Sequence, residues 1–431
     1  MRSGLFSRAA PMAMPALIIG LLYAALVTGA VPDPDPTALL ARNTYAVNVD
    51  GRQFSGPGMD WLELQAADAD FFLLGEQHAT ADIARLSEDL FKRLNAIGYA
   101  VAAIEVGPWS ASLLEAMLRR DGGAPFERYV RDPSHRLVFP FYSFREEADF
   151  AHAVASLAAG DRPALWGLDQ EFVGSGPLLL DALERAAGTG EQRAAVLAAR
   201  RAVARDPMAL AKGDDEPWLR LESAFRGLDE ASAITEAILV SRRIYAPFTG
   251  RGGHVYLANS ERERYMKQTL ASHLSGDPGP DWPKVFMKFG ANHLAYGHSP
   301  TGVLSLGTFV HEIATARGKN TFSLHVDCRG GEMMDVVTGN AGPCQSTMLD
   351  AGSDLMSFVQ ESTPTLIDLR ALRPHRRLWR DWDEKSRALI AAYDAYLVLP
   401  NVRPATPIVA STTSSGGRGA TSAGSSARDR Q

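Results

Sequence analysis

The stretch that decides the fold covers residues 71–107 and reads FFLLGEQHATADIARLSEDLFKRLNAIGYAVAAIEVG. Short apolar runs near its two ends predict strands at Phe71–Leu74 and Val101–Ile104. Between these runs, apolar residues recur at helical spacings of 3, 4, 4 and 3: Ile83, Leu86, Leu90, Leu94 and Ile97. A strand, a helix and a second strand within about 35 residues form a βαβ unit, which predicts a mainly parallel sheet.

Further apolar runs of strand length alternate with amphipathic stretches along the rest of the chain. They predict six more strands: Ala164–Leu168, His254–Ala258, Val285–Phe289, Phe322–Val326, Leu366–Leu369 and Tyr396–Leu399. We therefore predict an α/β fold, with a mainly parallel central sheet that is flanked by helices and carries a helical insertion.

Composition and charge exclude several classes of protein. The chain has 431 residues, of which 46% are hydrophobic and 22% are charged, so it belongs to the globular class. It has 44 basic and 50 acidic residues and a formal net charge of −6, so we expect no nucleic-acid partner. Two cysteines are too few for a disulfide scaffold or a four-cysteine zinc site.

The two ends of the chain differ from its middle. Residues 1–30 combine two arginines with an apolar run and a small-residue junction, which is typical of a secretory signal peptide or a retained N-terminal membrane anchor. We predict a periplasmic or secreted protein, with a membrane tether if the segment is retained. Residues 31–403 form the predicted domain, and the Ser, Gly and Ala-rich residues 404–431 form a predicted disordered tail. In an oxidising compartment Cys328 and Cys344 would form a disulfide around a glycine-rich segment.

Polar side chains follow five of the predicted strands, at the point where each strand ends. They are Glu76, Gln77 and His78; Glu105; Asp169 and Gln170; Asn259; and Asn292 and His293. In open parallel sheets, ligands bind beyond the carboxyl ends of the strands. One polar residue after a strand is usually the N-cap of the next helix, but five such groups together predict a functional site.

The chain resembles the erythromycin esterase-like superfamily in the order of its motifs. LLGEQHATADIARLSEDLFKRL and GYAVAAIEVG resemble the opening of that superfamily, and the later pieces follow in order: LWGLDQEF, NSERERYMKQTLASHL, VFMKFGANHLAYG, VLSLGTFVHEIA, TLIDLR and YDAYLVLPNVRPAT. The resemblance spans about residues 70–405. It implies an α/β fold and metal-independent hydrolysis, in which His78 is the base that activates water, assisted by Glu76, Glu105 and His293.

One spacing departs from the esterase branch. Only Gln77 separates Glu76 from His78, whereas that branch usually has two residues between the glutamate and the histidine. The shorter spacing is similar to the ChaN-like haem-uptake proteins and to the TraB/TIKI proteins, some of which are metal-dependent proteases. The resemblance therefore leaves three functions open: an ester or lactone hydrolase, a haem or apolar-ligand binding protein, and a metal-dependent hydrolase.

The residues themselves support acid–base chemistry. His78 precedes a predicted helix that begins near Thr80, and the helix dipole would lower the pKa of a neutral imidazole that accepts a proton from water. Glu76 or Glu105 would hold the other ring nitrogen. The structural alternatives are that His78 caps this helix, that Glu105 forms a buried ion pair, and that His293 binds only to backbone.

Five further residues are predicted to bind substrate, and each also has a structural interpretation. They are Arg85, Asp169, Asn292, Arg264 and Tyr142. Arginines on a helix, such as Arg85, Arg262 and Arg264, are usually solvated, and Tyr142 lies in an aromatic-rich stretch where core packing is common. Lys288, inside a predicted strand, is interpreted as facing outward or lying at the edge of the site.

We expect no cofactor, although Glu76, His78, Glu105 and His293 offer a nitrogen and oxygen set that zinc or manganese accepts, and haem is the alternative ligand. The chain lacks a Gly-x-Ser-x-Gly elbow, a Walker lysine loop and a dinucleotide fingerprint after a strand. Of the functions that the resemblance implies, we expect an exported hydrolase of a small-molecule ester or lactone, with a haem or apolar-ligand binding protein and a metal-dependent hydrolase as the alternatives.

Overall fold

The computed structural model describes residues 34–408, except 136, 161, 276–281 and 347. The predicted signal peptide or anchor and residues 409–431 of the predicted tail lie outside the described residues. Among the described helices, none is long and apolar enough to cross a membrane.

The fold is built on eight strands in the order β1-β11-β12-β8-β4-β7-β5-β6. Strand bounds in this sheet are β1 Thr44–Ala46, β4 Phe71–Glu76, β5 Tyr99–Ile104, β6 Leu165–Gly167, β7 Lys284–Gly290, β8 Thr321–Cys328, β11 Thr365–Asp368 and β12 Ala395–Leu399.

The central strands pair in parallel, and only β1, β11 and β12 at one edge pair antiparallel. Successive side chains of each strand point to opposite faces of the sheet. Accordingly, Phe71 and Leu73 of β4 pack in one apolar core, while Phe72 and Leu74 pack in another on the other face. The sheet is therefore buried on both sides, as a parallel sheet requires. Two small hairpin pairs lie outside it: β2 Asn48–Asp50 with β3 Gln53–Ser55, and β9 Glu332–Met334 with β10 Ala341–Pro343.

Helices cover both faces and form the predicted insertion between β6 and β7. Those that cover the sheet are α1 Pro36–Arg42, α2 Pro57–Asp68, α3 Ala81–Asn95, α4 Pro108–Leu118, α5 Ala124–Val130, α6 Arg145–Leu157, α12 Ala291–Leu294, α13 Leu306–Ala316, α14 Arg376–Trp379 and α15 Glu384–Ala392. The insertion contains α7 Gly176–Ala186, α8 Gly190–Arg205, α9 Glu216–Phe225, α10 Asp229–Tyr245 and α11 Val255–Ser275. Its helices enclose a third apolar core around Trp218. The predicted fold class is confirmed.

Seven of the eight predicted strands occur, each within two residues of its predicted ends. The strand predicted at His254–Ala258 is wrong, because these residues begin α11. Val255, Tyr256 and Leu257 are half exposed in the first turn of this helix. Their β-branched and aromatic side chains resemble a buried strand in the sequence, but here no sheet partner covers them. Asn259 consequently lies within a helix and not at a strand end.

Residues 402–408 form a segment that we call the strap, which crosses the turn after β4. Ala79 is held by two donors to its carbonyl, the backbone N–H groups of Met334 at 3.0 Å and Ala405 at 3.1 Å. The strap ends with Ile408 N bonded to the carbonyl of Ser143 at 3.0 Å. The hydrogen-bonded chain therefore continues to residue 408, beyond the predicted boundary at 403. The predicted disulfide between Cys328 and Cys344 is present and closes the segment that carries Met334.

Candidate functional site

Four neighbouring strands, β4, β7, β5 and β6, end at one edge of the sheet and bring the predicted residues together. Glu76 at the end of β4 lies opposite Gly290 at the end of β7. Glu105 directly follows β5, Asp169 follows β6 after one residue, and His293 lies on the short helix α12 after β7. Because all four strands run in parallel, their carboxyl ends meet here, which is where the sequence places the site.

His78 is held at both ring nitrogens by buried carboxylates. Its Nδ1 lies 2.9 Å from Glu76 Oε1, and its Nε2 lies 3.2 Å from Glu105 Oε2. Phe141 stacks on one face of the imidazole, with ring centroids 4.2 Å apart and an interplanar angle of 20°. The His78 side chain nevertheless keeps 25% exposure, whereas those of Glu76 and Glu105 have 2% and 8%. The ring is therefore fixed in orientation and still accessible to a ligand.

The backbone on both sides of this ring is strained. Ala79 and Phe141 have φ angles of 58° and 60°, in the left-handed region that residues with a Cβ rarely adopt. Such a conformation costs about 1 kcal/mol or more and persists where surrounding contacts impose it. The helix cap after β4 is Thr80, whose hydroxyl accepts from Ile83 N at 3.4 Å. Since Thr80 caps α3, the structure gives His78 no capping bond.

Glu105 is the hub of the site. Its Oε2 accepts from the backbone N–H of Gly290 at 2.6 Å, and its Oε1 accepts from Arg262 at 2.7 Å and lies 3.4 Å from His293 Nε2. Burial alone would raise the pKa of Glu105, but the imidazoles of His293 and His78 outweigh burial and hold it well below its usual range. Glu105 is therefore a fixed anion that joins the two histidines.

His293 has the same kind of environment as His78. Its Nδ1 lies 2.6 Å from Glu263 Oε1 on α11, and its side chain is 13% exposed. Two nearby buried oxygens, Glu263 Oε2 and Asn292 Oδ1, have no protein partner. Two histidines that share one carboxylate, each with a second carboxylate of its own, can hold and exchange protons at neighbouring positions.

Both histidines have a raised pKa, so the lowered pKa predicted for His78 is wrong. Burial acts to lower the pKa of His78, but the carboxylates of Glu105 and Glu76 outweigh it and raise the value to about 10. Burial and Arg262 likewise lower the pKa of His293, but Glu105 and Glu263 raise it to about 9. Two carboxylates at bonding distance act more strongly on an imidazole than the dipole of a helix.

Lys288 and Glu147 belong to the site: of the two positions that the sequence allowed for Lys288, the one at the site is correct, whereas Glu147 was not predicted. The Lys288 ammonium is buried near the carboxyl end of β7, 2.6 Å from Glu76 Oε1 and 2.8 Å from Glu147 Oε2. All three side chains are about 2% exposed or less. Lys288 therefore faces the site and not the solvent. Its signal was a single lysine in an otherwise apolar strand, and the buried partner Glu147, on α6, could not be identified from spacing.

The three arginine candidates differ in position. Arg262 reaches the site and holds Asp169 through two bonds of 2.9 and 2.6 Å, so Asp169 faces an arginine. Arg264, which we predicted to bind substrate, is 63% exposed and lies 3.7 Å from Glu261. It also lines, with Glu263, the cavity of about 590 Å³ described below. Arg85 donates to Glu146 at 3.0 Å and supports the strap.

The remaining predicted residues differ in their surroundings. Tyr142 is buried in the core, where burial and the charges of Glu147, Glu76 and Glu105 raise the pKa of its hydroxyl well above the usual value. Asn292 is on α12 beside His293. Glu171, in the same motif as Asp169, caps α4 through Trp109 N at 2.9 Å and through the hydroxyl of Ser110.

Two cavities border this region. One of about 590 Å³ is lined by Glu263, Tyr256, Lys267, His298 and Leu304 among others, and so reaches the carboxylate that holds His293. Another of about 960 Å³ lies at the β6 edge of the sheet, between Trp109, Trp166 and Arg243, away from both histidines. We regard the smaller cavity as the more relevant one, because it is lined by Glu263, the carboxylate that holds His293.

A metal fits this donor set poorly. Across the residues that the structure describes, no group of three or more His, Cys, Asp and Glu side chains is arranged to hold a metal ion. The carboxylates Glu76, Glu105 and Asp169 instead face Lys288 and Arg262, whose fixed cations occupy the positions that neutralise them. These side chains can stabilise negative charge and move protons.

Comparison with solved structures shows the fold. A Bacillus cereus protein superposes with a TM-score of 0.56 at 14% identity, covering 87% of this chain and 100% of its own. A succinoglycan biosynthesis protein gives 0.55 at 12%, covering 86% and 97%. A mutant of the erythromycin esterase EreC in its open conformation gives 0.56 at 13%, covering 85% and 99%. ChaN of Campylobacter jejuni gives a TM-score of only 0.28, which carries no argument. No protein-family model and no curated protein matches the chain.

Proposed function

We propose that this protein hydrolyses an ester or a lactone, with His78 as the residue that activates water. The observation that carries the proposal is the partly exposed imidazole of His78 between two buried carboxylates, at the carboxyl end of a parallel sheet. The erythromycin esterase EreC has the same fold, which supports this choice of reaction. At 13% identity the two chains share the fold alone. Predicted export would place the activity in the periplasm or outside the cell.

In this proposal each ring nitrogen of His78 has its own task. Glu76 holds Nδ1–H at 2.9 Å, and Nε2, whose contact with Glu105 Oε2 is longer at 3.2 Å, is the nitrogen that accepts a proton when a water molecule replaces that contact. In the neutral form of His78, Nε2 takes a proton from water, and the water oxygen attacks the carbonyl carbon of the substrate. The same proton then passes from Nε2 to the leaving alkoxide as the carbon–oxygen bond breaks. The products are a carboxylic acid and an alcohol.

His293 supplies the positive charge that this reaction needs. Its Nδ1 stays with Glu263 at 2.6 Å, while its Nε2–H, which lies at the longer distance of 3.4 Å from Glu105 Oε1, would turn from that oxygen to the oxyanion that forms when water attacks. The cavity of about 590 Å³ lined by Glu263, the carboxylate that holds His293, offers room for the body of a substrate. Fixed cations, rather than a metal, would then balance the charge of the transition state.

The first experiment is a hydrolysis panel on the full-length protein. We expect turnover of at least one ester or lactone, undiminished by chelator, and loss of turnover in His78→Gln. Activity that chelator removes and zinc or manganese restores would favour metal-dependent hydrolysis. No turnover, together with a stoichiometric change in haem absorbance, would favour ligand binding.

A further inference from the structure

The buried side chains behind His78 form a continuous line of charged groups. From the surface inward they are the His78 imidazole, the Glu76 carboxylate, the Lys288 ammonium and the Glu147 carboxylate, joined by contacts of 2.9, 2.6 and 2.8 Å. Both contacts from His78 and Lys288 fall on the same oxygen, Glu76 Oε1. Lys288 therefore draws this oxygen in one direction while His78 bonds to it from another.

Burying this line of charged groups costs free energy. Lys288, Glu76 and Glu147 are each about 98% removed from solvent at their side chains, and burial of a charge costs several kcal/mol unless it is paired. Two carboxylates face one ammonium, and one oxygen of each, Glu76 Oε2 and Glu147 Oε1, has no protein partner. A core that needed only stability would be at least as stable with apolar side chains here.

We propose that Lys288 and Glu147 are positioning residues for His78, Lys288 by holding Glu76 against Nδ1 and Glu147 by fixing the Lys288 ammonium. This inference rests on the proposed function, because it assigns His78 the working nitrogen Nε2. Neither residue touches the substrate. Both act on His78 through Glu76, and the charge of Glu147 also acts on His78 directly.

The charges that face Glu147 agree with this role. Burial raises the pKa of Glu147 to about 7, while Lys288 opposes the rise and Glu76 adds to it. His78 also acts on it from the end of β4, and Tyr142 lies close enough for the Glu147 charge to act on its hydroxyl. Phe150, on the same helix α6, lies under the Lys288 ammonium at 5.7 Å. The charge of Glu147 is therefore linked to that of His78.

The adjacent residue provides a matched control. Glu146 lies in the same first turn of α6 and is equally buried, but it binds Arg85 and the strap residue Thr406. Its charge is balanced by Arg85 and is directed away from His78. Glu146→Gln and Glu147→Gln therefore remove the same charge from neighbouring positions with different partners.

The experiment reads the ring of His78 directly, without substrate. With ¹⁵N-labelled histidine in the full-length protein, and His78→Gln to assign its signals, NMR titration follows the Nδ1 and Nε2 shifts against pH. We expect Glu147→Gln to lower the His78 midpoint by about one pH unit and Glu146→Gln to leave it unchanged. No shift in Glu147→Gln, or an equal shift in both variants, overturns the proposal.

A charge-balanced pair of variants separates positioning from stability. We expect Lys288→Met to lower kcat by about 10- to 100-fold with little change in KM, since Glu76 is no longer held. The double variant Lys288→Met with Glu147→Met removes both buried charges, so it should regain melting temperature but not kcat. Recovery of kcat in the double variant overturns the proposal. If neither variant folds, the Glu147→Gln titration still decides, and its result does not depend on any ester being hydrolysed.

Discussion

Two neighbouring strands each carry a histidine two residues from a carboxylate, Glu76 with His78 at the end of β4 and His325 with Asp327 in β8. His325 is fully buried, with Nδ1 3.0 Å from the carbonyl of Gly75 and Nε2 3.2 Å from Asp327 Oδ2. Tyr393 and Tyr396 pack against its ring at 5.2 and 5.3 Å. His78, by contrast, keeps a quarter of its side chain exposed.

The two pairs have the same spacing in the sequence, but they lie at different positions in the sheet. The carboxyl end of β4 opens toward the other strand ends of the site, whereas His325 lies between the sheet and two tyrosines. A histidine without access to solvent or ligand can only support the fold. We therefore expect the two pairs to respond oppositely to substitution, and four experiments test this contrast.

The largest expected effect is on turnover. His78→Gln should lower kcat by about 1,000-fold, because a general base contributes two to four orders of magnitude. The variant should remain folded, but its melting temperature at neutral pH should fall, because Glu76 and Glu105 lose the imidazolium between them. The measurement is kcat on the best substrate of the panel, with circular dichroism as a control for folding. Activity equal to that of the wild type would remove His78 from the mechanism.

The opposite result is expected for the buried pair. His325→Leu should lower the free energy of unfolding by about 2 to 4 kcal/mol, because Asp327 and the Gly75 carbonyl lose a buried partner. Turnover for each folded molecule should remain within about twofold of wild type. Urea unfolding measures the first quantity and active-site-normalised kcat the second. A stable variant that has lost turnover would place His325 in the reaction.

The pH dependence should show activity and stability moving in opposite directions. His78 has a pKa of about 10, so the neutral form that accepts a proton increases about tenfold for each pH unit above neutrality, until His293 loses its proton at about 9. Folded-state values above the unfolded value of about 6.5 mean that the stability from these imidazoliums is full below that pH and is lost as pH rises through 9 and 10. Rate and thermal-unfolding profiles from pH 6 to 10 measure both trends. A rate maximum near pH 6 would contradict the assignment.

The smallest effect is steric. A Cβ on Gly290 would lie 2.6 Å from His78 Nε2, while the φ of −54° at this residue accepts alanine without backbone strain. Gly290→Ala should therefore displace the ring and lower kcat by about tenfold. Gly190→Ala, where an added Cβ meets nothing within 4 Å, is the matched control. Equal activity in both variants would show that His78 tolerates displacement.

The sequence was sufficient to predict the strands of the sheet and many of the site residues at their carboxyl ends. Apolar runs such as Phe71–Leu74 are specific because burial on both faces excludes polar side chains, and the first polar residue then marks the strand end. Glu76, Glu105 and His293 were found in this way. The pattern misled at His254–Ala258, where three large apolar residues lie on the exposed first turn of a helix.

The parts of the site that come from other elements could not be found by this route. Glu147 reaches Lys288 from the first turn of α6, and Glu263 reaches His293 from α11. Whether Arg262 or Arg264 points to the histidines depends on how α11 is rotated about its axis. The sequence did not show this rotation, because the first turn of α11 was predicted to be a strand. The pKa of His78 depends on where two carboxylates converge, and that convergence is a property of tertiary structure.

The turn at Ala79, next to His78, depends on residues that lie more than 250 positions later in the chain. The turn at Ala79 is translated early, yet its carbonyl is satisfied by Met334 and Ala405. Nearby, Arg403 binds Asp82 across 321 residues of sequence. A chain cut after residue 403 would keep every side chain of the site but lose Ala405 and Thr406, which support Ala79 and Glu146. In such a chain the carbonyl of Ala79 would keep only the bond from Met334, so the turn beside His78 would lose half of its backbone support.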